Sequence, residues 1–246
     1  MNGHENAFGR WSSYPLRGLL QRLSGAERVD LWFVEVAEGG PLGLQAACAL
    51  LRCDPAAPSG RRAEDWRRSV VAQAALARLV AQRAGVDPQS AAVGRDAGGR
   101  PIVSESLGLH VSIAHAGAWV ACAAARRPVG VDIEREDRPE ADEGLAAYVC
   151  CAGEREQLAL LPEAARRRAL CRLWSRKEAL SKLLGVGLAL PFEQIDVRPR
   201  RPLFDGVPSA ALWVRDVDVA AEGYLAAVAG EGNRCYLRVR HFGAAA

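Results

Sequence analysis

The chain has 246 residues, enough to bury a sizeable core in one domain or in two packed halves of roughly 100 residues each. Half of the residues are hydrophobic and a quarter are charged, which is ordinary for a globular protein and argues against a disordered chain. The formal net charge of +3 is too small to indicate nucleic-acid binding by itself, although it suits an anionic substrate or an acidic partner.

The cysteines and the apolar segments indicate the compartment. The seven cysteines are odd in number and contain no C-x-x-C pair, so they favour a reducing environment over a disulfide framework or a zinc site. No apolar stretch is long enough to cross a bilayer. We therefore expect a cytoplasmic protein with no membrane association.

The first half of the chain is predicted to begin with an extension, residues 1–28, followed by a strand at residues 31–36. A long helix follows, with Ser59 as its expected N-cap and Gly85 at its end. Three stretches with strand character come next: residues 92–103, 110–125 and 129–134.

The second half repeats this order of elements. A helix is predicted over residues 163–184, ended by Gly185 and Gly187, and strands follow at residues 195–198, 210–217, 224–228 and 235–239. We expect an α+β protein with two similar halves, residues 29–137 and 138–246. Each half would be a long helix packed on a small antiparallel sheet, related by a pseudo-two-fold axis with the active site between them.

A pair of carboxylates lies in the segment Pro128-Val-Gly-Val-Asp-Ile-Glu134. Because side chains alternate along a strand, Asp132 and Glu134 share one face, about 7 Å apart, where they could flank a hard cation such as Mg²⁺. An isolated D-x-E is also compatible with a solvated strand face beside Arg135.

The chain has two lysines among its 32 basic residues, and both lie in the helix at residues 163–184. Glu178 and Lys182 are one turn apart on the flank of its apolar stripe, as a surface ion pair or as part of a site. Lys177 points close to the middle of that stripe, where an unpaired ammonium is costly. Lys177 therefore needs a partner, and we expect its role to be structural.

Other cationic residues could bind anions. His115 lies in a predicted strand and could equally be a structural histidine, while Arg100 lies in the turn Gly98-Gly-Arg-Pro101 and could meet a phosphate. Four arginines accompany the start of the first long helix, where backbone N–H groups also favour anions. They could equally form a solvated basic turn; they are Arg61, Arg62, Arg67 and Arg68.

Taken together, the ordered motifs G-R-P, S-I-A-H-A-G, V-G-V-D-I-E and W-S-R-K-E-A-L-S-K, with G-x-G behind the last, resemble the 4'-phosphopantetheinyl transferase superfamily. The resemblance is to its longer, pseudo-dimeric Sfp-type branch and covers roughly residues 30–240. It implies an enzyme that transfers the 4'-phosphopantetheine arm of coenzyme A to a serine hydroxyl of an apo acyl or peptidyl carrier protein, releasing 3',5'-ADP. By the same analogy, we expect a monomer.

The resemblance also implies roles for individual residues. Asp132, Glu134 and Glu178 would coordinate Mg²⁺, and Glu178 would also be a candidate base for the carrier serine. Lys182 would meet the pyrophosphate and stabilise or protonate the leaving group. The implied catalytic set comprises Glu178, Lys182, Asp132 and His115.

The coenzyme A site implied by the resemblance consists of cations. His115 and Arg100 would bind the nucleotide phosphates together with Lys182, and Arg68 would contribute. The chain departs from the family at Ala114, where a serine is common, so a hydroxyl contact to coenzyme A is missing or comes from elsewhere.

Two other functions fit some of the same residues. A Mg²⁺-dependent nuclease or phosphodiesterase could use the three carboxylates as metal ligands, although a net charge of +3 offers little basic surface for nucleic acid. A non-catalytic carrier-protein or nucleotide-binding module could share the fold, but it would have no reason to keep three acidic positions.

Overall fold

The computed structural model describes residues 27–137 and 143–243, with the side chain of Glu143 left aside. The helices are α1 (Leu44–Leu51), α2 (Ala63–Ala84), α3 (Glu143–Val149), α4 (Ala152–Ala159) and α5 (Glu163–Leu184). The first six strands are β1 (Glu27–Glu35), β2 (Val93–Arg95), β3 (Pro101–Val103), β4 (His110–Ala116), β5 (Trp119–Ala125) and β6 (Val129–Arg135). The other six are β7 (Ile195–Asp196), β8 (Leu203–Phe204), β9 (Val207–Pro208), β10 (Leu212–Val217), β11 (Tyr224–Glu231) and β12 (Cys235–Phe242).

Both predicted long helices are present, and each ends at a glycine. Gly85 and Gly185 have φ angles of 73° and 72° in the left-handed region, where each donates its N–H back to the last turn. The bounds of α5 agree with the prediction. The expected N-cap of α2 at Ser59 was wrong: the helix begins at Ala63 after Arg62, with Glu64 and Asp65 in its first turn.

The first sheet has the strand order β12-β1-β5-β4. Strands β4, β5 and β1 are antiparallel neighbours, whereas β12 lies parallel to β1, pairing Glu27 with Cys235 at one end and Val34 with Phe242 at the other. The expectation of a purely antiparallel sheet is therefore wrong here, because the final strand returns across the molecule to the edge of β1. Helix α2 packs on one face of this sheet, and α1 packs against α2.

The second sheet is antiparallel and has the order β10-β11-β6, with α5 packed on it. Strand β6 precedes the predicted boundary at residue 137 yet pairs with β11, while β12 follows that boundary yet pairs with β1. The predicted boundary between the halves therefore does not coincide with the boundary between the sheets, since one strand crosses in each direction.

The two sheets meet where β4 lies beside β6. The buried Ser112 hydroxyl on β4 accepts a hydrogen bond of 3.1 Å from the Val131 N–H on β6. A core cluster shared by both sheets includes Phe33 and Ala123 from the first sheet and Val131 and Val228 from the second. The halves are thus joined by a continuous apolar core. Strand β4, which carries His115, lies beside β6, which carries Asp132 and Glu134.

The mixed α+β character predicted from the sequence is confirmed, while the pseudo-two-fold relation stays a prediction. Helices α3 and α4 were not predicted, because their short sequences have little apolar periodicity. The predicted extension lies outside the described residues except for Glu27 and Arg28, which begin β1. Within the described ranges, no helix is both long and apolar enough to span a bilayer.

Candidate active site

Asp132 lies on β6 and faces helix α5. Its side chain is buried, and its Oδ1 accepts a hydrogen bond of 2.6 Å from the Lys182 ammonium. Its Oδ2 is also buried and has no hydrogen-bond partner. A buried carboxylate oxygen without a partner is costly in water-free surroundings, so this atom is suited to a ligand that supplies positive charge.

Glycine makes the close approach of β6 and α5 possible. A Cβ built on Gly130 would overlap the Ala179 carbonyl oxygen and lie 2.5 Å from the Leu183 amide nitrogen. Because Gly130 has no side chain, the α5 backbone can settle directly on the strand. This contact brings Lys182 within reach of Asp132.

The other two predicted metal ligands lie on the same two elements. The Glu134 carboxylate on β6 accepts a hydrogen bond of 2.7 Å from the Trp174 indole N–H on α5. Glu134 and Glu178 are both half-buried. Trp174 belongs to the apolar stripe in the sequence, and only the structure shows that its polar edge orients Glu134.

The three carboxylates do not converge to a closed cluster here. In the described part of the chain, the one group of three potential ligands with donor atoms within 4.8 Å of one another is Cys151, Glu154 and Asp196. Glu154 already pairs with the Lys177 ammonium, whose charge opposes a metal cation at that place.

Lys177 finds the partner that the sequence required but did not identify. Its ammonium is fully buried and donates to Glu154 Oε2 at 2.5 Å, to the Val149 carbonyl at 2.6 Å and to the Phe192 carbonyl at 2.7 Å. All three ammonium protons are thus used. The second Glu154 oxygen accepts the Val197 N–H at 2.9 Å, which completes a buried structural network.

His115 lies near the end of β4, just before the turn to β5, and is solvent-exposed. Although the residue as a whole is exposed, the surrounding protein removes water from part of the imidazole ring and so disfavours the charged imidazolium. The positive charges of Arg68 and Lys182 add to this effect. Together they lower the pKa of His115 from its ordinary value of 6.5. The first-half residues Arg68 and His115 and the second-half residue Lys182 therefore act on one another electrostatically.

Arg68 and Arg100 are the other two predicted phosphate-binding cations. Arg68 on α2 bonds Asp65 Oδ1 at 2.5 Å and the Gly117 carbonyl at 3.2 Å, while its buried Nε has no partner. Arg100 is half exposed, and its guanidinium lies so close to Gly185 that a Cβ there would overlap it. Arg100 thus lies beside Gly185 at the end of α5. Gly185 follows Lys182 by three residues in the chain.

A cleft of about 740 Å³ opens beside Arg68. Its walls come from α2, the β4–β5 turn, the segment after β6 and the loop before β11, including Gly117, Arg135 and Tyr224. Arg68 is the predicted site residue that lines it, whereas the three carboxylates and Lys182 lie outside its walls.

The predicted site as a whole places a group of cations next to a partly buried set of carboxylates. Binding and cleavage of a phosphorylated substrate would require such an arrangement.

Sequence reasoning missed Trp174 and Tyr224 in this region, and it missed Glu154 in the buried network around Lys177. The sequence pattern places Trp174 only in an apolar stripe, and Glu154 lies in a helix with weak periodicity. The position of Lys177 in the apolar stripe indicates that its ammonium needs a partner, but nothing in the sequence identifies that partner. For Tyr224 the sequence pattern indicates only the start of a strand.

The 4'-phosphopantetheinyl transferase superfamily model matches residues 128–229. That range contains Asp132, Glu134, Glu178 and Lys182, whereas Arg68, Arg100 and His115 precede it. The chain is 28% identical over 179 residues to a 4'-phosphopantetheinyl transferase of Bacillus subtilis, covering 70% of the chain and 78% of the relative.

Two further relatives carry the same description. The 4'-phosphopantetheinyl transferase Sfp of Bacillus subtilis (strain 168) is 27% identical over 135 residues, which are 55% of the chain and 59% of the relative. The 4'-phosphopantetheinyl transferase HetI of Nostoc sp. is 28% identical over 216 residues, which are 84% of the chain and 89% of the relative. The similarity to HetI extends well beyond the range of the family model.

Proposed function

We propose that the chain is a member of the 4'-phosphopantetheinyl transferase superfamily, which its similarity to the family model and to the Bacillus and Nostoc enzymes supports. It would transfer the 4'-phosphopantetheine arm of coenzyme A to a serine hydroxyl of an apo acyl or peptidyl carrier protein. The bond between the phosphopantetheine phosphorus and the oxygen of the 3',5'-ADP leaving group breaks. A phosphodiester to the serine oxygen forms, and the serine proton leaves.

One observation carries this proposal beyond the family match: the 2.6 Å ion pair between Asp132 on β6 and Lys182 on α5. Two short motifs, each weak alone, are in direct contact through this ion pair. A carboxylate for a cation and an ammonium for a leaving group are the tools that a pyrophosphate cleavage needs, because such a reaction depends on charge neutralisation and alignment.

The donor chemistry of three residues fits a magnesium ion, although their carboxylates are not gathered into a closed cluster in the described structure. Asp132, Glu134 and Glu178 offer hard carboxylate oxygens, which Mg²⁺ prefers, and the buried Oδ2 of Asp132 has no partner. We propose that these three residues hold Mg²⁺, which when bound would neutralise the pyrophosphate charge. In the described structure the Lys182 ammonium balances the charge of Asp132 instead.

The remaining roles follow from charge and proton chemistry. We assign Glu178, directly or through water, to accepting the serine proton, and Lys182 to stabilising or protonating the oxygen of the departing 3',5'-ADP. An ammonium can give up a proton far more readily than a guanidinium. His115, Arg100 and Arg68 are proposed to bind the phosphates of coenzyme A, a task that needs positive charge and donors but no proton transfer.

We further propose that the enzyme acts as a monomer whose two halves, residues 29–137 and 138–246, are related by a pseudo-two-fold axis. The resemblance to the pseudo-dimeric branch and the similar pairing of α2 and α5 with a sheet support this. We also propose that the reaction takes place in the cytoplasm, because seven cysteines without a C-x-x-C pair favour a reducing compartment.

Intact-mass spectrometry of an apo carrier protein, incubated with the enzyme, coenzyme A and Mg²⁺, tests the function. We expect one added phosphopantetheine on the carrier, and no addition to acyl, peptidyl or aryl carriers would exclude the proposal. Cleavage of an oligonucleotide under the same conditions would instead favour a nuclease.

The same assay tests the carboxylate site through Glu178→Gln. This variant should fold normally and lose metal-dependent transfer, because it loses a negative charge and a proton acceptor. Glu156→Gln, at an exposed position of α4, is the matched control and should remain active. Full activity of Glu178→Gln would remove this residue from the mechanism.

A further inference from the structure

The position of His115 depends on a two-residue turn. Ala116 pairs with Trp119, so Gly117 and Ala118 alone connect β4 to β5. Gly117 has φ +51°, a conformation that the first central position of such a tight hairpin turn requires and that glycine adopts without strain. Because the connection is so short, a displacement of Gly117 also displaces His115, which lies two residues earlier.

Three elements hold the turn. The Arg68 guanidinium on α2 donates to the Gly117 carbonyl at 3.2 Å, and the Val36 N–H after β1 donates to the Ala118 carbonyl at 2.7 Å. The Ala118 N–H in turn donates to the Tyr224 hydroxyl at 3.2 Å. The first two anchors belong to the first half of the chain, whereas Tyr224 comes from β11 in the second sheet.

Tyr224 is fitted closely to this turn. A Cβ built on Gly117 would overlap the Tyr224 hydroxyl, so the tyrosine occupies the space that any other residue at position 117 would need. The Tyr224 ring also packs edge-on against Trp119, with 6.4 Å between ring centroids. The Tyr224 hydroxyl is therefore held in place by the packing of its ring against Trp119 as well as by the hydrogen bond.

Strand β11 also supports the carboxylate side of the site. It pairs with β6, with Ala227 opposite Asp132 and Tyr224 opposite Arg135. The strand that supports Asp132 thus also holds the turn after His115. Ser112 and Val131 make a second link between β4 and β6, further from the turn.

We propose that Tyr224 is a positioning residue that sets the distance between the phosphate-binding side chains of the first half and the Asp132–Lys182 pair of the second. This inference rests on the proposed function, because it assigns His115 and Arg68 to coenzyme A. Small displacements of groups that bind a reacting substrate weaken binding and rate strongly, so a single hydroxyl at this junction affects the whole site.

Tyr224→Phe tests the proposal with the phosphopantetheine transfer assay. We expect the KM for coenzyme A to rise about threefold to tenfold, the factor that one neutral hydrogen bond contributes, with a smaller change in kcat. The KM for the carrier protein should stay the same. Tyr236→Phe is the control, since Tyr236 is exposed on β12, and it should behave as the wild type.

Gly117→Ala gives an independent test of the same contact. Its Cβ should displace the Tyr224 hydroxyl and raise the KM for coenzyme A, beyond the effect of the strained φ angle. In the Tyr224→Phe background this substitution should raise the KM by a smaller factor, because the overlapping hydroxyl is gone. The proposal would be contradicted if the rise in KM for coenzyme A in the double variant equalled the product of the rises in the two single variants.

The outcomes separate this inference from the proposed function. A wild-type protein that transfers no phosphopantetheine overturns the function. An active wild type with an unchanged KM for coenzyme A in Tyr224→Phe overturns the positioning role alone. A Tyr224→Phe variant that loses its folded structure in circular dichroism also overturns it, since the hydroxyl would then serve stability in general.

Discussion

Lys177 and Lys182 lie five residues apart on α5 in opposite environments. The Lys177 ammonium is fully buried and bonded to three acceptors, whereas the Lys182 side chain is 30% exposed and bonded to Asp132. A chain that otherwise uses arginine has kept lysine at both positions. For Lys177 the reason is the compact size of an ammonium, and for Lys182 we propose that it is the ability to give up a proton.

Lys182→Arg should keep the fold and lose turnover. The guanidinium retains the charge beside Asp132 but does not readily protonate a leaving group, so we expect kcat to fall by about 100-fold or more. Thermal unfolding should show a melting temperature close to that of the wild type. A variant with near-normal kcat would show that Lys182 contributes charge alone.

Lys177→Arg is the matched substitution on the same helix and should have the opposite outcome. The larger guanidinium does not fit among three acceptors at 2.5 to 2.7 Å, so we expect a loss of about 1–3 kcal/mol in the free energy of unfolding. Urea titration measures this loss, and kcat of the folded fraction should be retained. Equal stability of the two arginine variants would contradict the structural role of Lys177.

His115 predicts a pH dependence of coenzyme A binding. Its pKa lies below 6.5 in the free protein, so the imidazole is largely neutral at pH 7, and bound phosphate should raise that pKa by favouring the imidazolium. Affinity should therefore increase as the pH falls from about 7 towards 6. Without ligand the lowered pKa has the opposite consequence for stability. The unfolded chain takes up a proton at His115 near pH 6.5 and the folded protein does so only at lower pH, so the folded state becomes less stable as the pH falls below 6.5.

Calorimetric titration with coenzyme A in two buffers of different ionisation enthalpy measures the proton uptake at His115. His115→Asn should take up fewer protons, and any uptake by the nucleotide's own phosphate remains in both proteins and cancels. Equal uptake by the variant and the wild type would remove His115 from the phosphate site.

At the scale of elements, the site depends on how closely α5 lies on β6. Gly130→Ala should push the helix away from the strand, because the new methyl group would overlap the α5 backbone at Ala179 and Leu183. We expect the melting temperature to fall. We also expect kcat to fall, because Lys182 would move away from Asp132. Gly94→Ala is the control, because its Cβ would make an ordinary contact of 3.5 Å with Ile102.

The elements that the sequence predicted well have strong local signals. Helix α5 has an apolar stripe and a glycine at its end, and β6 alternates cleanly, so both were placed correctly. Helices α3 and α4 have neither signal, and α4 carries Glu154, the partner of Lys177. The start of α2 was wrong because a serine that could cap a helix is not obliged to do so.

At the scale of the whole molecule, two strands bind the halves together. Strand β6 pairs with β11, and β12 pairs along the length of β1, so each sheet contains a strand from the other side of the predicted boundary at residue 137. The apolar cluster between the sheets also draws on both sides. We therefore expect the two halves to unfold as one cooperative unit.

Cutting the chain after residue 137 tests this expectation. Residues 1–137 alone should not fold, because β1 would lose β12, β6 would lose β11, and the apolar cluster between the sheets would be exposed. Amide NMR spectra should show poor dispersion for this fragment and recovery on mixing with residues 138–246. A well-dispersed spectrum of the first fragment alone would show that the halves fold independently.

The sequence alone determined the local elements of this protein: the long helices, the alternation that puts Asp132 and Glu134 on one face, and the motif order that indicates the family. These follow from periodicity and from short-range turn chemistry. Tertiary structure decided the rest: the pairing of Lys177 with Glu154, the return of β12 to β1, and the contact of Tyr224 with the turn after His115. Such contacts join residues far apart in the chain, and no local pattern records which distant partner a buried charge, a strand edge or a hydroxyl will meet.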